Sequence, residues 1–104
     1  MRELMTIDRV RGAMSVLDDY PICRAWLYGS VARGTNDLDS DVDLIVERAP
    51  EGRISFALMA ELKDELEERL GCKVDVNTLC RPRAGRIFLR LFDRDKVMVY
   101  ERKE

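Results

Sequence analysis

The chain has 104 residues, of which 46% are hydrophobic and 37% are charged, and its formal net charge is -2. This size and composition are typical of one soluble domain with a single core, spanning residues 1–104. The near-neutral charge provides no bulk attraction to nucleic acid or to an anionic membrane, so we do not expect direct nucleic-acid binding. No apolar run approaches the ~20 residues that span a bilayer, and the N-terminus lacks a signal-peptide pattern, so we expect a cytoplasmic location.

Three cysteines and the absence of histidine narrow the chemistry further. Cys23, Cys72 and Cys80 lack the spacing of a disulfide framework or a zinc knuckle, so we interpret them as small buried apolar residues. Without histidine, the chain cannot use a Ser-His or Cys-His nucleophile or most zinc sites. A general base must therefore be a carboxylate, a lysine, a tyrosine or a cysteine.

The hydrophobic pattern predicts helices and strands in alternation. We predict helices near residues 4–19, 56–70 and 84–92, a helical turn at 30–33, and strands at 22–28, 42–47, 72–79 and 96–101. Thr6 or Asp8 caps the first helix, Gly71 stops the long one, and residues 93–95 form a turn. This order predicts an α/β or α+β sandwich in which helices pack on a mixed sheet.

Apolar side chains at helical spacing predict which residues enter the core. The inward residues of the three helices are expected to be Ile7, Val10, Met14 and Leu17, then Phe56, Met59, Leu62, Leu66 and Leu70, then Ile87, Phe88 and Leu91. The opposite face of the long helix carries a run of charges between residues 61 and 69. We interpret that run as a solvated face and not as an acidic binding site.

Two aspartates separated by one residue open the second predicted strand. Because strand side chains alternate between faces, Asp41 and Asp43 project together from one side while their apolar neighbours enter the core. Asp75, flanked by valines in the third strand, joins them if the two strands are neighbours. Three carboxylates this close repel one another unless a cation is present, and oxygen ligands favour Mg²⁺ or Mn²⁺. Asp37 and Asp39, in the preceding loop, are expected to cap turns or face water.

A glycine-serine turn precedes the acidic pair. Gly29 lets the backbone approach a ligand that a Cβ would obstruct, and Ser30 supplies a hydroxyl and an N–H while capping the helical turn. These features suit a β- or γ-phosphate, although Gly-Ser alone is more often a plain turn. Arg33 has two open interpretations, a phosphate contact or an internal salt bridge. Ser40 is expected to orient the loop or an aspartate by hydrogen bonding.

Together these motifs resemble the minimal nucleotidyltransferases of the DNA polymerase β superfamily. The signature of that family is Gly-Ser, a helical turn often reading Ala-Arg-Gly, and then Ser-Asp-x-Asp-Leu. The chain shows Gly29-Ser30, Ala32-Arg33-Gly34 and Ser40-Asp41-Val42-Asp43-Leu44 at the spacing of the family, and Asp75 where a third carboxylate is expected. Each of these motifs alone is a weak indicator, whereas their combination is highly specific. The resemblance covers nearly the whole chain.

The resemblance implies a mixed, twisted sheet and the transfer of a nucleoside monophosphate from a nucleoside triphosphate, taken as ATP, to a hydroxyl. By the same resemblance, Asp41 and Asp43 bind two Mg²⁺ ions, with Mn²⁺ as an alternative. Asp75 binds the catalytic ion and can accept the proton of the acceptor hydroxyl. Gly29 and Ser30 hold the triphosphate. No residue in the sequence identifies the base.

Many stand-alone members of this family are encoded beside a HEPN-type ribonuclease toxin and act as its antitoxin, and some transfer AMP onto a tyrosine of the toxin. The resemblance therefore implies a protein adenylyltransferase with a HEPN-type toxin as partner. The chain ends soon after the predicted catalytic sheet. We therefore expect a shallow acceptor pocket, one shared with a second subunit in a homo- or hetero-oligomer, or one supplied by a protein partner.

Two alternatives stay open. A binding-only antitoxin would neutralise its toxin by contact, although buried acids without a cation would cost stability. A nucleotidyltransferase that acts on a small molecule or an RNA end could use a basic patch formed by Arg81, Arg83, Arg86 and Arg90. Those arginines more simply balance nearby acids or cover apolar surface with their stems.

Overall fold

The computed structural model describes residues 3–78 and 84–102. The helices are α1 Ile7–Ala13, α2 Gly29–Arg33, α3 Phe56–Leu70 and α4 Arg86–Asp95, and the strands are β1 Ile22–Tyr28, β2 Val42–Arg48, β3 Val74–Thr78 and β4 Val97–Glu101. A 3-10 helix, Met14–Asp19, continues α1. The predicted alternation is confirmed, but residues 93–95 belong to α4 and do not form the predicted turn. Leu79, Cys80, Arg81 and Arg83, which figured in the predictions, lie outside the described residues.

The four strands form one mixed sheet in the order β3-β2-β1-β4. Strand β1 is antiparallel to both β2 and β4, whereas β2 is parallel to β3. Because neighbouring parallel strands need a crossover, α3 carries the chain from the end of β2 back to the start of β3. The second and third strands are therefore neighbours, which is the condition on which the acidic site depended.

One face of the sheet, here called the core face, packs with α1 and α3. Its strand side chains include Leu27, Leu44 and Val74, each with no exposed surface. They join Leu62 and Leu66 of α3 in one hydrophobic cluster. Apolar residues at every second strand position meet the apolar stripe of the helix, and burial of this shared surface is the main stabilising contribution.

Capping residues set the limits of the helices that cover the core face. The Thr6 hydroxyl accepts a hydrogen bond from the N–H of Arg9 at 3.2 Å, so Thr6, and not Asp8, caps α1. Ser55 caps α3 in the same manner. Gly71 ends α3 in the left-handed conformation, as predicted.

The predicted inward face of the last helix is wrong. Ile87, Phe88 and Leu91 of α4 are 78%, 37% and 44% exposed, and Phe92 is the buried residue of this helix. Phe56, also predicted to be inward, is 97% exposed at the first position of α3. Helical periodicity reports the width of an apolar stripe, whereas burial depends on how much of the stripe another element covers.

The long helix presents its charged side to solvent. Between Glu61 and Arg69, most charged side chains are exposed, as predicted. The half-buried Glu67 accepts a hydrogen bond from the backbone N–H of Val74 at 3.0 Å, which ties the end of α3 to the start of β3. Among the helices of the described ranges, none has both the length and the apolar character that are required to cross a membrane.

The two cysteines that the structure describes are unbridged. Cys23 and Cys72 are half-buried, so the prediction of full burial is wrong for both. The Cys23 thiol donates a hydrogen bond to the Glu47 carboxylate at 3.1 Å. Burial and this neighbouring carboxylate raise the pKa of the Cys23 thiol, so the thiol is held in its unreactive protonated form.

Candidate active site

The other face of the sheet, here called the site face, carries a row of polar side chains across three strands. Tyr28 of β1 pairs in register with Asp43 of β2, and Asp43 pairs with Asp75 of β3. Paired residues on neighbouring strands point to the same side, and the strands lie about 4.8 Å apart. Asp41 lies two residues before Asp43, directly ahead of β2. The fold therefore brings the predicted acidic residues to one edge of the site face.

The electrostatics of Asp43 show that these carboxylates act on one another. Burial raises the pKa of Asp43, the negative charges of Asp75 and Asp41 raise it further, and the positive charge of Arg33 lowers it in part. Asp41 and Asp43 are half-buried, whereas Asp75 is exposed. Mutual repulsion of this kind lowers the cost of bringing a positive charge to the row.

The donor set of the row fits a hard divalent cation in its chemistry. Carboxylate oxygens are the ligands that Mg²⁺ prefers, and the raised pKa of Asp43 marks the repulsion that such an ion relieves. However, across residues 3–78 and 84–102 no group of three or more histidine, cysteine, aspartate or glutamate side chains is arranged so that it could hold a metal ion. The register supplies the carboxylate pair Asp43 and Asp75, and the three-carboxylate metal site stays a prediction.

Gly29 makes room for the acidic row. Its φ angle of 78° lies in the left-handed region that favours glycine. A Cβ at this position would lie 2.6 Å from a carboxylate oxygen of Asp43. Both the backbone conformation and the space therefore require glycine, and the observed occupant of that space is the Asp43 side chain.

The residue after Gly29 does not have the capping role that its type suggested. Ser30 lies inside α2, whose N-cap is Tyr28, so the prediction that Ser30 caps the helical turn is wrong. The N-cap therefore lies two residues earlier than the residue types indicate, and α2 begins at Gly29, whose φ is positive. Ser30 still lies in the first turn of α2, where backbone N–H groups have no acceptor within the helix.

Arg33 forms the internal salt bridge that was one of its two interpretations. Its guanidinium lies 3.2 Å from the carboxylate of Asp95 in α4. Asp95 also pairs with Arg94 at 2.8 Å, and these hydrogen bonds lower the pKa of the Asp95 carboxyl. The bridge connects the helix that follows Gly29 to α4, and it leaves the charge of Arg33 close enough to act on Asp43.

Ser40 organises the loop before the acidic pair. Its hydroxyl accepts a hydrogen bond from the N–H of Asp37 at 2.9 Å and donates one to the Asp37 carboxylate at 3.1 Å. The N–H of Asp39 donates to the same carboxylate at 2.9 Å. Ser40 therefore orients the loop, one of the two predicted roles, and Asp37 caps a turn, as predicted.

Sequence reasoning missed two polar members of the site. The hydroxyl of Tyr28 is hydrogen-bonded to the side chain of Asn77 on β3. Burial raises the pKa of Tyr28, and the charges of Asp43 and Asp75 raise it further. A signal was present in the sequence, because Asn77 lies two residues after Asp75 and so shares its face of the strand.

Aromatic contacts attach α4 to the site face. The ring of Tyr28 meets Phe88 and Phe92 edge-to-face, with ring centroids 5.9 and 5.7 Å apart. Trp26, two residues earlier on β1, contacts Phe92 in the same geometry at 6.3 Å. The same tyrosine thus touches α4 with its ring and lies beside the acidic row.

A cavity of about 830 Å³ adjoins the row without containing it. Trp26 and Phe92 form its aromatic part, and Arg48, Arg53 and Lys96 are its basic residues. It lies toward the C-terminal end of β2, whereas the acidic pair lies at the start of that strand. None of the three aspartates lines this cavity.

The polar row and the turn beside it lie within a stretch that matches a known family. Residues 14–104 match the family described as polymerase beta, nucleotidyltransferase. The chain belongs to this nucleotidyltransferase family. The match covers all four strands in full, together with the Gly29 turn and all three aspartates.

Two curated relatives of this chain are candidate protein adenylyltransferases of Methanocaldococcus jannaschii. One is 41% identical over 61 residues, which are 59% of this chain and 61% of the relative. The other is 40% identical over 75 residues, which are 71% of this chain and 78% of the relative. The chain thus matches less than two thirds of the first relative's length.

Solved structures share the fold. A toxin-antitoxin structure with AMP-PNP has a TM-score of 0.71 and 19% identity, covering 95% of this chain and 76% of that chain. A complex of a tri-AMPylated Shewanella oneidensis HEPN toxin with an MNT antitoxin has a TM-score of 0.66 and 17% identity. The match covers 94% of this chain and 74% of that chain. A candidate minimal nucleotidyltransferase has a TM-score of 0.67 and 27% identity, and the match covers 89% of this chain and 95% of that chain. The predicted nucleotidyltransferase fold is confirmed.

Proposed function

We propose that this nucleotidyltransferase moves AMP from ATP to a tyrosine hydroxyl of a HEPN-type toxin, with Mg²⁺ as cofactor, and thereby acts as an antitoxin. The observation that carries the proposal is the in-register row in which Asp43 lies between Tyr28 and Asp75. Family membership supports nucleotidyl transfer. The names of the relatives support a protein acceptor, and the toxin complexes of the same fold support the partner.

In the proposed reaction, the phenolic oxygen of a toxin tyrosine attacks the α-phosphorus of ATP. A new P–O bond forms to the tyrosine, the bond from the α-phosphorus to the bridging oxygen breaks, and pyrophosphate leaves. Asp75 accepts the proton that the tyrosine loses, because it is the exposed carboxylate of the row and the chain contains no histidine to do so.

Asp41 and Asp43 would hold the two Mg²⁺ ions, with Asp75 as a further ligand to one of them, and Mn²⁺ would suit the same oxygens. When bound, Mg²⁺ neutralises charge on the triphosphate and orients it. Gly29 and Ser30 would contact the triphosphate through backbone N–H groups at the start of α2.

Two further residues support this arrangement from outside the row. Arg33 holds α2 against α4 through its salt bridge with Asp95. Ser40 orders the loop that delivers the acidic pair, through its two hydrogen bonds with Asp37. In the proposal these side chains position the site and do not touch the reacting atoms.

Mass spectrometry tests the proposal directly. Incubating the HEPN-type protein of the same genome with this chain, ATP and Mg²⁺ should add the mass of AMP to a tyrosine peptide. The Asp41→Asn/Asp43→Asn variant should lose at least about 10²-fold in rate, because it removes the carboxylates that would hold the Mg²⁺ ions, whose positive charge would stabilise the transferring phosphoryl group. Asp64→Asn, which removes an exposed carboxylate on α3, is the matched control and should retain full activity.

The binding-only alternative is distinguished in the same experiment. If the intact chain forms no adduct and the Asp41→Asn/Asp43→Asn variant still neutralises the toxin, contact alone is sufficient and the transferase proposal fails. If labelled AMP instead appears on RNA without any partner protein, the acceptor assignment fails.

A further inference from the structure

The apolar stripe of α4 is only partly covered by the rest of the structure. Ile87 and Leu91 lie one turn apart on α4 and are 78% and 44% exposed, with Phe88 beside them at 37%. We call these three residues the α4 ridge. Phe92, one turn after Phe88, is the part of the stripe that packs on the sheet, through Trp26 and Tyr28.

The α4 ridge is continuous with the candidate active site. The Phe88 ring stacks on Phe92 at 5.9 Å and meets Tyr28 edge-to-face at 5.9 Å. Tyr28 is the direct neighbour of Asp43 in the sheet register. A macromolecule seated on the α4 ridge would therefore be held next to the acidic row.

The charges around the α4 ridge indicate the character of its occupant. Arg86 and Arg90 are exposed, and Arg90 lies three residues after Ile87, on the adjoining strip of the helix surface. In the part of the chain that the structure describes, neither arginine forms an ion pair, whereas Arg94 is bound to Asp95. An apolar surface with an unmatched cationic border is complementary to an apolar patch bordered by acids.

Two other occupants fit these observations less well. In a two-fold contact between copies of this chain, the same patch meets itself, so the arginines of each copy would face like charges. A nucleic acid would bring its phosphates toward the acidic row, and Ile87 and Leu91 offer it no charge to bind. A protein with an acidic border matches both parts of the surface.

We infer that the α4 ridge is the surface on which the acceptor protein docks, so that its tyrosine reaches the acidic row. The inference rests on the proposed function for the identity of that acceptor. Beyond the proposed function, the inference gives the location of the interface and the apolar and acidic character of the partner surface. It also assigns docking and catalysis to different residues.

Calorimetry with the HEPN-type protein of the same genome tests the docking. All measurements use the Asp41→Asn/Asp43→Asn background, in which transfer is expected to be at least about 10²-fold slower. Ile87→Glu/Leu91→Glu should weaken binding at least about 10-fold, because it places charges where the partner surface is apolar and acidic. Phe56→Glu is the control, since it adds a glutamate in place of an exposed apolar side chain on a different helix, at a residue of α3 that is 97% exposed, and should leave affinity unchanged.

Kinetics in the otherwise unmodified chain separate docking from chemistry. Ile87→Glu/Leu91→Glu should raise KM for the partner protein at least about 10-fold while kcat stays within about two-fold. The rise in melting temperature with Mg²⁺ and ATP should be the same as in the parent, because the row is untouched. Far-ultraviolet circular dichroism, unchanged from the parent, confirms that the substituted surface residues leave the fold intact.

The outcomes distinguish this inference from the proposed function. Ridge-dependent binding without any adduct from the intact chain would support docking and overturn the transferase. Normal binding and KM in the ridge variant would overturn docking and leave the transferase standing. A ridge variant that alters the oligomeric state of the chain alone, measured by light scattering, would assign the ridge to a second copy and overturn the inference.

Discussion

The two faces of the sheet are built by the same strands and have opposite properties. On the core face, Leu44 and Val74 have no exposed surface. On the site face, their sequence neighbour Asp43 is half-buried and their sequence neighbour Asp75 is exposed. Because side chains alternate, the register that packs the apolar pair also sets the acidic pair side by side, and a one-residue slip would exchange the two faces. The core therefore places the site.

The helices treat the two faces differently as well. Two elements, α1 and α3, contribute a broad apolar surface to the core face. On the site face, α4 buries Phe92 and leaves the α4 ridge in solvent. Complete cover suits stability, whereas partial cover leaves an edge at which carboxylates and a partner can meet.

The largest expected effect on stability comes from breaking the core face. Leu44→Ala should lower the free energy of unfolding by about 2–5 kcal/mol, because it leaves a cavity among fully buried side chains. Asp75→Asn, on the site face, should change it by no more than about 0.5 kcal/mol. Denaturant unfolding of both variants measures the difference. If both variants lost the same free energy of unfolding, the core face would not be the main source of stability, and the division of roles between the two faces would be wrong.

A smaller effect is expected at two glycines that share one backbone conformation. Gly29 and Gly34 have φ angles of 78° and 75°, so alanine at either should cost about 1–2 kcal/mol of unfolding free energy. At Gly34 nothing lies within 4 Å of the added Cβ, whereas at Gly29 the Asp43 carboxylate lies 2.6 Å away. Gly29→Ala should therefore also reduce AMP transfer at least about 10-fold, and Gly34→Ala should not. Parallel thermal melts and rates of AMP transfer check this, and equal activities would remove the role assigned to Gly29.

The smallest expected effect is electrostatic and changes with pH. Burial and the charges of Asp75 and Asp41 raise the pKa of Asp43 above its unfolded value of about 3.9. In the folded state, Asp43 therefore keeps its proton up to a higher pH than in the unfolded state. The contribution of Asp43 to the free energy of unfolding then falls as the pH rises from the pKa of the unfolded state through the pKa of the folded state. Without Mg²⁺, Asp43→Asn should be more stable than the parent at pH 7, and the difference should vanish below about pH 3.9.

Urea unfolding across this pH range measures that difference. Asp64→Asn on α3 is its control and should show no corresponding gain, since its carboxylate is exposed and lies outside the row. Added Mg²⁺ should stabilise the parent more than Asp43→Asn, because the ion relieves repulsion that the variant no longer has. A parent that is more stable than Asp43→Asn at pH 7 in the absence of Mg²⁺ would contradict the raised pKa.

Local patterns in the sequence predicted most of the fold. The strand of residues 22–28 and the helix of residues 56–70 are predictable because alternating and helical apolar spacing are properties of short segments. The acidic row is predictable because Asp43 and Asp75 each sit between apolar neighbours. The start of α2 was not predicted correctly, because the residue types favour Ser30 as the N-cap, whereas the helix begins at Gly29 with Tyr28 as its N-cap.

By itself, the sequence determined which residues can form the two faces of each strand, and so which carboxylates could share a side. Only the tertiary structure decided that Tyr28 lies beside Asp43 and is hydrogen-bonded to Asn77, and that Ile87, Phe88 and Leu91 stay in solvent. The physical reason is that alternation and periodicity are local properties of the chain. Burial and proximity depend on which surfaces the other elements cover.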